Sequence, residues 1–365
     1  MKKKSLWAII ALAGLTISSC TNDEVIPNTS ADNAIEFGTY VGRDAQTRGE
    51  ILTTDGLKTK GFGVYAYYTN DGKYNSTTAT PNFMNNTKVT HNGTYWEYSP
   101  IKYWPNEKTD YVSFFAYAPY NAYNVATTVP TPGDPIIEYT VDTDVTKHVD
   151  LTVAGSILDQ QKQNVDGTVN FTFKHALSRV GFKVEAVIDE GNQANGNTDE
   201  NTNHNPIANQ TTISVQEVEL YGNFNHNAKL NLKTAIWEAQ ISHQTSYKLE
   251  YSDFVSGVAD NVNNSPQILN KDDEFMMLIP TGTIATKIRV KYTVTTTDES
   301  LAGDKSVIVN DITSDDISFT FAQGKAYYFV LHLGLTSVKL SATVNDWDEA
   351  SNIVVNVPLN EVPQY

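Results

Sequence analysis

The chain has 365 residues, 42 acidic against 26 basic side chains and a formal charge of −16, a balance that repels nucleic acid and anionic lipid and excludes both as electrostatic partners. Its 20 tyrosines and 14 phenylalanines suit strands better than helices, and its length allows two domains with real cores. A single cysteine rules out an intramolecular disulfide, so an exported form must be stabilised by its core or by assembly.

The chain opens Met1-Lys2-Lys3-Lys4, runs apolar from Leu6 to Ile17 and reaches Leu15-Thr16-Ile17-Ser18-Ser19-Cys20. A positive start, a short apolar centre and small residues at the cut describe a secretion signal over residues 1–19. The apolar run is too short to cross a membrane as a helix. An aliphatic residue, small residues and then the single cysteine resemble a bacterial lipobox, which implies cleavage before Cys20 and lipid on its thiol and new amine. Multiple acyl chains on Cys20 would anchor the protein firmly, because each buried CH₂ contributes about 0.8 kcal/mol. Losing residues 1–19 removes three lysines and no acid, taking the charge from −16 to −19.

Residues 21–33 are polar and read as a tether. In Ala34–Val41 the side chains of Ile35, Phe37, Thr39 and Val41 share one face of an extended strand. The stretch from Gly42 to Gly49 is polar, holds two glycines and offers an Arg48-Gly49 bond, the kind of segment that proteases cut. From Gly61 onward the period is close to two. Phe62, Val64, Ala66 and Tyr68 form one face, Val112, Phe114, Ala116 and Ala118 another, and Val169, Phe171 and Phe173 a third. The pattern continues in Val180–Ala186, Ile288–Val294, Tyr327–Leu333 and Val338–Val344. Many short alternating segments separated by turn residues indicate all-β, antiparallel β-sandwiches. Only His175–Ser178 suggests a single helical turn. A run rich in Asn, Gly, Thr and Asp from Asp189 to Gln210 buries little and reads as a linker or long loop.

At the C-terminus, Ile353, Val355, Val357 and Leu359 repeat the spacing of Ile35 to Val41. Each of these segments suits the same kind of open sheet groove, its main chain pairing to the edge and its alternate side chains entering pockets. Alternation alone equally fits two ordinary strands.

Several segments together resemble the fimbrillin family of Gram-negative lipoprotein pilins, the type V pilus subunits. They are Phe62–Tyr67, Trp96–Pro100 with Tyr103-Trp104-Pro105, Phe114–Tyr120, Phe173–Val180 and Val344-Asn345-Asp346-Trp347. The resemblance spans Cys20 to about Trp347. It implies two transthyretin-like antiparallel β-sandwich domains in tandem, over residues 49–190 and 191–365, after a propeptide of residues 20–48. It further implies export to the outer membrane through lipid on Cys20 and cleavage by an Arg-specific protease. The cut best matches Arg48-Gly49, with Arg43 competing. Loss of the strand carrying Ile35, Phe37, Thr39 and Val41 would then let a strand such as Ile353–Leu359 of another pilus subunit take its place in an adhesive fimbria.

Enzyme readings are weak. Seven histidines are scattered with no paired metal spacing, and neither G-x-S-x-G nor a phosphate-cradling loop occurs, so no catalytic residue, metal or cofactor is expected. His175 reads as a strand-end residue bonded to backbone. Asp311, Asp315 and Asp316 offer hard oxygen ligands but read as solvated turn residues, as does Lys271–Glu274. A second functional reading is a monomeric surface lipoprotein that binds glycans on exposed Trp96 and Trp104. It competes with burial of those rings in the core.

Overall fold

The structure is a computed structural model. It describes residues 33–41, 52–121, 125–127, 132–186, 211–239, 242–251, 255–257, 267–270, 275–297, 303, 305–334, 338–346 and 353–356. Cys20, Arg43, Arg48, Gly49, Val357, Leu359 and the expected linker lie outside the described residues.

The elements in chain order begin with β1 (Glu36–Val41), α1 (Thr54–Lys60), β2 (Phe62–Thr69), β3 (Met84–His91), β4 (Trp96–Tyr98), β5 (Tyr111–Ala118), β6 (Val125–Thr127), β7 (Ile136–Thr140), β8 (Thr152–Ala154), β9 (Ile157–Gln160) and β10 (Thr168–His175). They continue with β11 (Ser178–Ala186), β12 (Thr211–Asn225), β13 (Asn227–Asn231), β14 (Ile236–Ala239), β15 (His243–Glu250), β16 (Val255–Gly257), β17 (Gln267–Ile268) and β18 (Met276–Leu278). The last are β19 (Thr283–Thr297), β20 (Lys305–Thr313), β21 (Ile317–Thr320), β22 (Lys325–Leu333), β23 (Val338–Asp346) and β24 (Ile353–Asn356).

The first sheet has the order β1-β10-β8-β5-β2-β3-β4, with β9 also on β5. Its inner face forms one core, built from Phe62, Val64, Phe114, Phe171, Phe173 and their neighbours. Its outer face is not polar. Tyr65, Tyr67, Phe115 and Tyr117 belong to the second core, together with residues of β7, β11, β12, β19 and β22. Alternation in β2 and β5 therefore sorts side chains between two cores rather than between core and water. The sequence permits this because Tyr65, Tyr67, Phe115 and Tyr117 are aromatic on the face where a half-exposed strand carries polar groups.

The second core holds β11, β17, β18, β22, β23 and β24 in one sheet, and β12, β15, β16, β19, β20 and β21 in another. A four-stranded sheet, β14-β13-β7-β6, joins strands from both halves of the sequence. The expected boundary at 190/191 does not mark where pairing changes. β11 already pairs parallel with β22 across eight residues, and β7 pairs with β13. Composition alone does not show where strands change partners.

Two local expectations are corrected. His175–Ser178 is no helical turn: β10 ends at His175 and β11 starts at Ser178, with Ala176 N–H donating to Leu151 O at 2.8 Å. A helix stands instead at α1. Thr53 Oγ1 accepts from Gly56 N–H at 3.0 Å as its N-cap, and Gly61 ends it at φ +71, where an added Cβ would lie 2.6 Å from Val89 O. Its seven residues bury only Leu57, too few apolar positions to show a helical period.

His148 is buried beside the second core, edge-on to Tyr247 at 5.1 Å. His148 Nδ1 accepts from Met277 N–H at 2.9 Å, so its Nε2 carries the proton and donates to Asp142 O at 2.8 Å. Burial pushes its pKa down to about 4.

Candidate functional site: the seat of the first strand

β1 is the terminal strand of the first sheet and runs parallel to β10, in register from Glu36 opposite Thr168 to Val41 opposite Phe173. Parallel pairing of strands this far apart in sequence needs no local hairpin, so β1 is laid into the sheet as a separate segment. Ile35, Phe37 and Val41 are buried, while Tyr40 is 48% exposed. Thr39 is half-buried, and its Oγ1 has no hydrogen-bond partner among the described residues. The face expected from the sequence is thus the face that enters the core.

Phe37 is the plug of this seat. Its ring stacks on Phe171 at 5.7 Å and meets Phe62, Phe114 and Tyr98 at 6.1, 6.2 and 5.2 Å. Edge-on and offset ring pairs of this kind add about 0.5–1.5 kcal/mol each beyond area burial. Gly38 follows at a close approach: a Cβ there would fall 2.1 Å from Asn170 Oδ1 and displace that amide.

Backbone stitches hold the N-terminal end of the strand. Ile35 N–H donates to Lys102 O at 2.9 Å, Trp104 N–H to Asn33 O at 2.9 Å and Glu36 N–H to Gly167 O at 3.3 Å. The Tyr98 hydroxyl donates to Ile35 O at 2.8 Å, and burial pushes its pKa up to about 12. At the other end Val41 N–H reaches across to Thr54 Oγ1, at 3.4 Å.

Leu52, the next described residue, has an anchor outside β1. Leu52 N–H donates to Asp150 Oδ2 at 2.9 Å in a buried setting, and the same carboxylate oxygen lies 2.9 Å from His175 Nδ1. The Asp150 carboxylate is thus a partner of His175 that the sequence reading did not include. Sequence reasoning missed Asp150 because no local pattern connects it to Leu52 or His175, which lie 98 and 25 residues away.

The tryptophans do not make a platform. Trp104 is 2% exposed and donates Nε1–H to Gly167 O at 3.0 Å, beneath the start of β1. Trp96 is half-buried, edge-on to Phe62 at 4.9 Å and to His91 at 5.0 Å. The glycan reading needed two exposed coplanar rings, and burial of Trp104 against Phe114 removes one of them.

The other expected segment is partly described. β24 pairs antiparallel with β23, from Ile353 opposite Val344 to Asn356 opposite Ser341, at the edge of its sheet. Ile353 and Val355 are therefore already paired within this chain. Asp311 lies in β20 rather than in a turn, bound by Arg289 at 2.6 and 2.7 Å. Asp316 lies 3.6 Å from Lys287. Among the described residues no group of three His, Cys, Asp or Glu is disposed to hold a metal ion, and no helix is long and apolar enough to cross a membrane.

Comparison with known proteins gives a consistent set. The fimbrillin-like family matches residues 47–347. A fimbrium subunit, Fim1C, of Phocaeicola vulgatus is 27% identical over an alignment of 402 positions that covers 98% of this chain and all of the relative. The crystal structure of a fimbrial protein from Bacteroides vulgatus superposes with a TM-score of 0.67 at 23% identity, covering 86% of this chain and 99% of the other. That similarity establishes the all-β fold.

Proposed function

The chain belongs to the fimbrillin-like family, a family of structural subunits rather than enzymes, and from that premise we propose that it is a fimbrial subunit assembled by donor-strand exchange. In this reading lipid on Cys20 holds the precursor at the outer membrane. An Arg-specific protease cuts Arg48-Gly49, and a strand from another subunit replaces β1. Ile353, Val355, Val357 and Leu359 would supply the replacement, with cell adhesion as the outcome.

The carrying observation is the asymmetry around the expected cut. β1 enters the first core through Ile35, Phe37 and Val41 as a terminal parallel strand. Leu52 is held by Asp150, apart from that strand. A cut between them severs β1 from the chain while leaving the new N-terminal segment attached to the core. Exchange then swaps one set of ladder bonds and buried side chains for another. Its direction comes from the irreversible loss of the first set. A vacated seat would expose Phe62, Phe114 and Phe171 beside an unpaired edge of β10, which captures strands readily. Alternate apolar residues at spacing two are what such a groove reads.

The test is limited digestion of the full precursor with an Arg-specific protease, followed by mass spectrometry and native gels. The expected result is one cut at Arg48-Gly49, departure of residues 20–48 and a ladder of oligomers. Deletion of residues 353–365 should abolish the ladder. A cut chain that stays monomeric would overturn the reading.

A further inference from the structure

β20, Lys-Ser-Val-Ile-Val-Asn-Asp-Ile-Thr, is the terminal strand of its sheet, beyond β19 in the order β15-β12-β19-β20. It pairs with β19 through nine residues without a register shift, from Lys305 opposite Thr297 to Thr313 opposite Arg289. Edge strands are ordinarily blunted by a central charge, a proline or a bulge. Here the centre is apolar and open: Val307, Ile308 and Val309 are 50%, 36% and 74% exposed. Val307 and Val309 lie opposite Thr295 and Thr293, on the outward face of β19, and Ile308 lies opposite Val294.

We propose that this edge binds the β20 of a second copy of the chain, antiparallel and centred on Ile308. The sequence is self-complementary in that register alone. Ile308 meets its own counterpart on the two-fold axis, while Val307 meets Val309, Ser306 meets Asn310 and Lys305 meets Asp311, each of these three pairs occurring twice by the symmetry. Three apolar rungs are thus closed at both ends by opposite charges, the arrangement that stabilises cross-strand pairs. Slipping the register by one residue sets Val307 against Asn310 and Lys305 against Ile312, which removes the complementarity. The Asp311 carboxylate is positioned for this. Arg289 grips it bidentately, and its side chain stays 48% exposed to receive a second cation. Lys291, the cross-strand partner of Asp311, and Glu217 and Glu219, which lie against Arg289, carry further charge on that face, with Lys248 paired to Glu217 and Glu250 behind them. Neither β1 nor β24 takes part, so this contact is independent of strand exchange and leaves both ends of the chain available for it. In a filament it would join subunits side by side.

The test uses the full, uncut chain with Cys20→Ser, in which β1 remains covalently attached and strand exchange cannot account for association. Sedimentation should show a concentration-dependent dimer. Ile308→Cys in that background should cross-link on oxidation, because directly opposed residues of an antiparallel pair lie within disulfide reach. Thr77→Cys, on an exposed loop, should not. Val309→Lys should raise the half-association concentration at least about tenfold, since symmetry inserts two lysines, while leaving the thermal melt of the monomer unchanged. Lys305→Glu and Asp311→Lys should each weaken association alone and restore it when mixed. A chain that stays monomeric and gives no more cross-link at position 308 than at position 77 overturns the proposal. So does a dimer indifferent to Val309→Lys.

Discussion

β1 and β20 hold the same place in their sheets and treat their apolar side chains in opposite ways. Each is a terminal strand with one neighbour. β1 sends Ile35, Phe37 and Val41 inward, roofed by Tyr98 and Trp104, and leaves Tyr40 outside. β20 leaves Val307 and Val309 in solvent, with nothing described packed over them. Edge position therefore says little by itself. What distinguishes the two is whether the sheet beneath supplies a cavity. The first sheet offers an aromatic cage the size of Phe37, whereas the outward face of β19 offers only Thr293, Thr295 and salt-bridged charges. One strand is held by burial of its apolar side chains. The other leaves its apolar side chains exposed.

The sharpest way to break that comparison is Phe37→Ala in the uncut precursor. Emptying a closed aromatic cage should cost about 3–5 kcal/mol in urea unfolding, against about 0.5 kcal/mol or less for Val309→Ala on the open edge. Equal losses would mean that β1 is not a core strand. Acid should separate the regions next. The His148 pKa is about 4 in the fold against about 6.5 in an unfolded chain. Between these values the unfolded chain binds the extra proton, so stability falls as pH drops from about 6.5 to about 4 and levels off below, a loss of up to about 3 kcal/mol. Because His148 packs on Tyr247 of β15, in the sheet that carries β20, His148→Gln should flatten this part of the pH dependence without loosening β1. Unfolding midpoints across pH 4 to 7 would check it.

A smaller effect sharpens the description of the β1 seat. Tyr98→Phe keeps the ring beside Phe37 and deletes the bond to Ile35 O, at a cost of about 1 kcal/mol. Hydrogen exchange should then quicken at the Ile35 and Glu36 amides and stay unchanged in β20. Faster exchange in both would mean that Tyr98 supports the whole fold rather than the strand it touches.

Much of the architecture was legible in the residues. Period-two runs marked β1, β10, β11, β19 and β22 because a half-buried strand must alternate, and the face carrying Ile35, Phe37 and Val41 was read correctly for that reason. The second burial face of β2 and β5 was visible in Tyr65, Tyr67, Phe115 and Tyr117, but alternation cannot say whether an aromatic face meets water or another core. α1 was missed because a seven-residue helix with one buried side chain has no period to detect. The glycan platform failed at Trp104, since a tryptophan between turn residues looks the same whether its ring faces solvent or Phe114.

What the sequence determined by itself was chemistry that depends on near neighbours. This covers the all-β class, the inward face of a strand such as β1, and the family through its ordered motifs. Tertiary structure alone decided the pairings between distant residues. It laid β1 parallel on β10, joined β7 to β13 and β11 to β22, and brought Asp150 to both Leu52 and His175. It also left Val307, Ile308 and Val309 uncovered on β20. Side-chain alternation follows from the backbone pleat, which any strand has. Partner choice depends on which apolar surfaces are free to meet once every other strand has been placed.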